Sequence, residues 1–292
     1  MNLISSLDSA LAHTQTIDEH WVSIDNARMR YLRAGSGPAL LLVHGLLGYS
    51  FSWRFTIPAI IGRTVYACDM LGTGFSERPA NLNCSLRASA ERLLRFLDAV
   101  DVSSCDLLGT SHGGAVAMMA ASLAPERFKR LILVAPVNPW SEHGKGLARL
   151  LTNPLVKPWF FDLVPHLELV HGYVLRRMYG DPRRIRPGTL EGYSAAFRIP
   201  GSFRYGLSVL HCWNNDLQEL ENALSRISHF PTLLIWGERD TAVNLSSAQR
   251  LREQFRHCEL VVFDGVGHLP YEEVPEQFNR AVVQFLGAPE NS

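Results

Sequence analysis

Little in this 292-residue chain points toward nucleic acid, a bilayer or a metal. Twenty-eight Lys and Arg offset 28 Asp and Glu, a formal net charge of zero. There is thus no excess of positive charge to neutralise phosphates, and a nucleic-acid partner is not expected. No apolar run reaches the ~20 residues that span a bilayer. Residues 1–16 lack the basic start of a secretory signal and mix Asp8, His13 and serines into their apolar positions. Cysteine is scarce. Cys68, Cys84, Cys105, Cys212 and Cys258 are odd in number, scattered, and never in C-x-x-C spacing. That pattern excludes structural zinc and predicts free thiols. Together these absences predict a cytoplasmic protein with no membrane partner. Repeats and low-complexity tracts are missing too. Apolar residues make up 47% of the chain and charged residues 19%, enough to bury a large core.

The apolar residues fall into a rhythm. Segments 21–24 and 29–34 read as two strands joined at Asp25-Asn26, a hairpin-type turn. Segment 39–43 (ALLLV) is unbroken and apolar, as a strand covered on both faces must be. Segments 64–68, 105–108, 130–134 and 232–236 repeat that signature, and 259–263 closes the series. Helix-period segments at 53–60, 86–100, 112–123, 245–255 and 275–286 lie between them. Alternation of this kind predicts an α/β fold with a doubly wound, mostly parallel β-sheet. Residues 138–229 break the rhythm. They hold no strand-like run, and Pro139, Pro154, Pro158, Pro165, Pro182, Pro187 and Pro200 chop them into short helical pieces. This stretch reads as a helical cap inserted into a core formed by 1–137 and 230–292.

Ser111 is the candidate nucleophile. It sits in Gly109-Thr-Ser-His-Gly113, a G-x-S-x-G, with the strand-like CDLL before it and the helix-like HGGAVAMMAASLA after it. A sharp strand-to-helix turn lifts such a hydroxyl above the sheet, and its glycines avoid a clash with neighbouring backbone. G-x-S also ends at Ser50, Ser76, Ser194 and Ser208, but none of these has glycine two residues later.

A hydroxyl attacks poorly until a base removes its proton. Of eleven histidines, His268 stands in a glycine-rich loop after the final strand, which places it last in the order Ser, acid, His. The acid that orients it is Asp240, three residues after the strand TLLIW and its closing Gly237. Glu238 and Asp264 are the rivals, and Asp264 is near enough to His268 to be a loop cap instead. The loop after ALLLV, His44-Gly-Leu-Leu-Gly48, offers the second backbone donor of an oxyanion hole. The expected pair is the N–H groups of Leu46 and His112. His44 itself reads as a brace of that loop.

HGLLG, DMLGTGFS, GTSHGG, GERD and GVGH occur in this order, and over residues 21–137 and 230–287 the chain resembles the α/β-hydrolase superfamily. The likeness is to its capped, esterase-like and epoxide-hydrolase-like branch. It implies the α/β-hydrolase fold with an inserted helical cap, and a structural role for Asp69 and its glycines. No cofactor is implied: Glu77 stands where a dinucleotide fingerprint needs its third glycine. Epoxide hydrolases and haloalkane dehalogenases of this branch use an aspartate nucleophile, and here the position is Ser111. The dehalogenase-type tryptophan after it is His112.

Serine with an oxyanion hole suits acyl transfer, and hydrolysis of small to medium hydrophobic carboxylic esters is the default reading. Carbon–carbon bond hydrolysis and cofactor-free perhydrolase (haloperoxidase) chemistry are the alternatives that share the triad. A non-catalytic ligand-binding receptor is the remote one. Trp140, Trp159 and Phe160, with other aromatics of 138–229, are expected to line an apolar substrate pocket. Arg176, Arg177, Arg183, Arg184 and Arg186 read as a solvated face paired with a residue such as Asp181.

Overall fold

The computed structural model describes residues 15–141 and 168–287. Eight strands form one sheet: β1 (Ile17–Ile24), β2 (Ala27–Ala34), β3 (Ala39–Val43), β4 (Thr64–Cys68), β5 (Cys105–Thr110), β6 (Phe128–Val134), β7 (Thr232–Gly237) and β8 (Cys258–Phe263). Their order is β1-β2-β4-β3-β5-β6-β7-β8. Only β2 runs against the others. Asp25 (φ 53°) and Asn26 (φ 61°) make the β1–β2 hairpin. Positive φ at both central residues matches the right-handed twist of the two strands.

The chain winds from β3 outward to β4, then returns across β3 to lay down β5. That reversal opens a crevice between the carboxyl ends of β3 and β5, where an α/β sheet binds its ligands. The loop of residues 44–48 follows β3 and Ser111 follows β5.

Helices cover both faces. On one face lie α1 (Leu86–Ala99) and α2 (His112–Leu123). Leu86, Ala90, Leu93, Phe96 and Leu97 of α1 form one stripe at helical spacing and are buried on the sheet. Ser85 caps this helix by accepting the Ala88 N–H. On the other face Trp53, Ile57 and Ile60 meet the closing helices, α7 (Pro270–Glu273) and α8 (Pro275–Gly287). Where a helix is expected at 53–60, the chain instead makes two 3₁₀ turns, Ser50–Trp53 and Ile57–Ala59. Pro58 lacks the N–H that a continuous α-helix would use.

Between β6 and β7 stand α3 (Glu168–Met178), α4 (Thr189–Phe197) and the 26-residue α5 (Ser202–Ile227). Part of the stretch 138–229 packs with the sheet's own core. In α5, Val209, Trp213, Leu217, Leu220 and Leu224 recur three or four residues apart and are buried in the main core, alongside α2 and α1. This half of α5 is a layer of the core. Its first turns reach the loop of residues 44–48, where a Cβ on Gly206 would lie 3.0 Å from Leu47 Cδ2. The remaining helix, α6 (Ser246–Arg252), follows β7. All five cysteines are free. No helix among the described residues is long and apolar enough to cross a membrane.

Candidate active site

Ser111 occupies the turn between β5 and α2 with φ 54°, a conformation costly for any residue with a Cβ. The strain is held by its surroundings. The Ser111 N–H donates to Val134 O at 2.9 Å, and its carbonyl accepts from Val137 N at 3.0 Å. Backbone lies so close that a Cβ on Gly109 would run into Gly113, and one on Gly113 into the carbonyls of Val43 and His44. The two glycines of G-x-S-x-G are therefore required by close approach rather than by φ.

The loop after β3 packs on this turn. A Cβ on Gly45 would sit 3.2 Å from Ser111 Cβ and 3.8 Å from Ser111 Oγ. Gly48 N–H closes a tight turn on Gly45 O at 3.0 Å, and Leu47 adopts φ 59° within it. That conformation normally goes to glycine. His44 braces the loop: its Nε2 accepts the Met70 N–H at 3.0 Å and its Nδ1 donates to Gly45 O at 2.8 Å. Burial pushes the His44 pKa down, so the ring is neutral. The amide of Leu46 thus belongs to a loop pressed against Ser111. The amide of His112 is the first of a helix, which intrahelical bonding leaves free. The His112 side chain is 6% exposed and its Nε2 has no hydrogen-bond partner. Burial, with the neighbouring His44, lowers its pKa to about 4.

Asp240 and His268 come together. His268 Nδ1 lies 2.7 Å from Asp240 Oδ2, and both side chains are buried. Asp240 Oδ1 accepts the N–H groups of Ala242 and Val243 at 2.8 and 2.9 Å. Its rival Glu238 faces elsewhere, accepting the Gly265 N–H at 2.9 Å. The geometry offers a strained serine, a loop of backbone donors and a histidine oriented by a carboxylate.

Other expected site residues are placed differently. Trp140 packs on the main core cluster, with the Arg250 guanidinium 5.2 Å over its ring. Trp159 and Phe160 lie outside the described residues. Tyr173 is exposed, whereas Phe197 and Phe203 pack around His171. Arg183 pairs with Asp181 at 2.8 Å, as the charge pattern suggests.

Sequence reading overlooks Arg54, Glu272 and Glu273. Glu272 is 1% exposed and takes both Arg54 Nη groups at 2.5 Å, together with the Tyr193 hydroxyl at 2.7 Å. Arg54 Nη2 also donates to Thr189 Oγ1 at 3.1 Å, and the Tyr49 hydroxyl donates to Gly192 O at 2.6 Å. These bonds seat α4 on the core. Arg54 and Glu272 stand 218 residues apart, so no local pattern announces the pair. The one available signal is two adjacent acids in the otherwise apolar turn after His268.

Similarity to known proteins agrees with this geometry. A family model described as "alpha/beta hydrolase fold" matches residues 38–168, and one described as "TAP-like protein" matches 207–291. A 2-hydroxymuconate semialdehyde hydrolase of Pseudomonas putida is 32% identical over 231 residues, 77% of each chain. A 2-hydroxy-6-oxo-2,4-heptadienoate hydrolase of Pseudomonas putida is 29% identical over 269 residues, 87% of this chain and 91% of the other. Among solved structures, a 2-hydroxy-6-oxo-6-phenylhexa-2,4-dienoate hydrolase from Rhodococcus sp. strain RHA1 superposes with TM-score 0.80. It is 24% identical and is matched over 94% of this chain and 100% of its own, a likeness of fold. With the doubly wound sheet and the strained Ser111 turn at its switch point, these matches make the chain a member of the α/β-hydrolase superfamily.

Proposed function

We propose that this protein is a serine-dependent hydrolase that cleaves a carbon–carbon bond beside a ketone, on substrates resembling 2-hydroxy-6-oxo-dienoates. The observation that carries the reading is the long match to the two Pseudomonas putida hydrolases, one named for 2-hydroxy-6-oxo-2,4-heptadienoate and the other for 2-hydroxymuconate semialdehyde. The arrangement of Ser111, His268 and Asp240 supplies chemistry to go with it.

His268, oriented through Nδ1 by Asp240, takes the Ser111 proton on Nε2 as the hydroxyl adds to the ketone carbon. The amides of Leu46 and His112 receive the resulting oxyanion. Collapse of the adduct breaks the bond to the neighbouring carbon. In the 2-oxo tautomer of such a substrate, formed by moving the 2-hydroxyl proton to carbon 5, that carbon is saturated. The electron pair leaves on it as an allylic carbanion delocalised onto the 2-oxo oxygen, and the proton held by His268 quenches it. Water, activated by the same imidazole, then releases the acyl group from Ser111 as a carboxylic acid. No metal or organic cofactor enters these steps.

Carboxylic-ester hydrolysis, the reaction the sequence alone favours, uses the same groups with an alkoxide as leaving group. The two readings part at the leaving atom, and a substrate panel separates them. Purified protein should turn over 2-hydroxy-6-oxo-2,4-heptadienoate with kcat/KM at least about tenfold above that for aryl esters of graded acyl length. The opposite preference would return the assignment to esters. Peracid formation in a peroxide–halide assay above both would mark a perhydrolase.

A further inference from the structure

We propose that Glu273 is a positioning residue. It locks the His268 loop to the chain segment 178–181, so that placement of the imidazole depends on a carboxylate outside the reacting groups. The inference rests on His268 as the general base.

The Glu273 side chain is fully covered. Its Oε1 accepts two amides from different parts of the chain, Gly267 N–H at 2.6 Å and Gly180 N–H at 2.9 Å. Its Oε2 accepts Asp181 N–H at 3.2 Å and faces Arg184 Nη1 at 3.5 Å. The next amide along, that of His268, donates to Met178 O at 2.7 Å. Segment 178–181 is thus stitched to residues 267–268 on both sides, once directly and once through the carboxylate. The two backbones touch: a Cβ on Gly267 would meet Met178 O and Gly180 N, and one on Gly180 would meet Gly265 O and Gly267 N. Gly180 and Gly267 let the two backbones lie face to face, and Glu273 closes the joint.

Other bonds hold this loop at its outer end, among them two from the chain after β7. Glu238 binds Gly265 N–H, and Arg239 N–H donates to Val266 O at 2.8 Å. Neither bond reaches residues 267 or 268. A buried carboxylate that collects three amides and faces a guanidinium forms charge-assisted bonds, and its loss strands those amides. Glutamine keeps the volume but not the pattern, because its NH₂ would oppose the Asp181 N–H and Arg184, donor against donor. The imidazole is pinned at its far edge by Asp240 and at its own backbone by this joint. Slackening the joint should therefore cost turnover more than binding.

The test is Glu273→Gln, compared with Val282→Ala, a core change in α8, at matched loss of Tm. The Gln variant should lower kcat about 10- to 100-fold, with KM within about threefold. It should also shift or broaden the low-field proton resonance of the His268 Nδ1–H. A fall in kcat no larger than that of Val282→Ala, or an unchanged resonance in a folded Gln variant, overturns the proposal. Native-state hydrogen exchange on the unaltered protein gives a second reading should the variant not fold. The amides of Gly180, Gly267 and His268 should open together, and exchange of Gly180 about tenfold faster than Gly267 would refute a single body. Ser111→Ala run in parallel keeps the two claims apart. If it retains activity the serine mechanism falls, while the exchange measurement still decides the joint.

Discussion

Asp240 holds the imidazole of His268 at 2.7 Å with one carboxylate oxygen and anchors itself on the Ala242 and Val243 amides with the other. Each oxygen has a separate task. The amide pair fixes the carboxylate, the carboxylate fixes the proton on Nδ1, and Nε2 is left as the basic nitrogen. This chain of constraints fixes the orientation of a loop histidine, as the general base of the proposed reaction requires.

Replacing Asp240 should therefore be far more costly than replacing its neighbour. Asp240→Asn is expected to lower turnover by about 10⁴-fold, by stabilising the wrong tautomer, and Ser111→Ala by at least as much. Glu238→Gln, which touches only the Gly265 amide, should do much less. Steady-state kinetics on the dienoate and on an activated ester check the ranking. Equal losses at 238 and 240 would reassign the acid.

Gly45 is a position where one methyl group should damage the site without unfolding the protein. Its backbone is not in the left-handed region, so alanine is conformationally allowed there. The added Cβ would press on Ser111 at 3.2 Å. Gly45→Ala should displace the hydroxyl relative to the donor loop and reduce kcat by roughly 100-fold, at nearly unchanged Tm. Wild-type kcat in this variant would show that the loop yields freely.

His112 should make the fold acid-sensitive. Its pKa falls from 6.5 to about 4 because the ring is buried. The unfolded chain therefore binds a proton between those values that the folded one refuses. Stability is complete above pH 6.5 and is lost as pH drops toward 4, by at most about 3 kcal/mol from this group. Buried His44, shifted the same way, adds to the slope. Denaturant unfolding of His112→Gln across this range should show a shallower pH dependence than the parent. An identical slope would refute the assignment.

The Arg54–Glu272 pair should be worth more broken than replaced. Arg54→Ala leaves a carboxylate 1% exposed without its bidentate cation, and should cost about 3–5 kcal/mol. Adding Glu272→Gln removes the stranded charge and should recover much of that loss. A double-mutant cycle by chemical denaturation measures the coupling. Additive costs would mean that the pair is not coupled in the folded state.

Several parts of this molecule were legible because their causes are local. β3 and β5 announce themselves as unbroken apolar runs, since a strand covered on both faces has no polar side. Asp25-Asn26 reads as a hairpin turn because those residue types tolerate positive φ. Gly109 and Gly113 mark the serine between them because the α2 backbone and the end of β3 come too near for a side chain. The stretch 53–60 misleads because a helical period survives in two 3₁₀ turns that Pro58 keeps from becoming one α-helix.

Sequence by itself therefore determined the class of fold, the serine turn and the order in which the serine, acid and histidine candidates follow one another. Tertiary structure separated the acid from its rival, because Glu238 and Asp240 differ by two residues and only folding sets their directions. It also decided that the second half of α5 belongs to the core, and that Trp140 lies under Arg250. Glu272 and Glu273, two adjacent letters after His268, became anchors for α4 and for segment 178–181. Their partners lie up to 218 residues away. No pattern of period 2 or 3.6 encodes a contact of that range; it exists only once the sheet has brought the distant segments together.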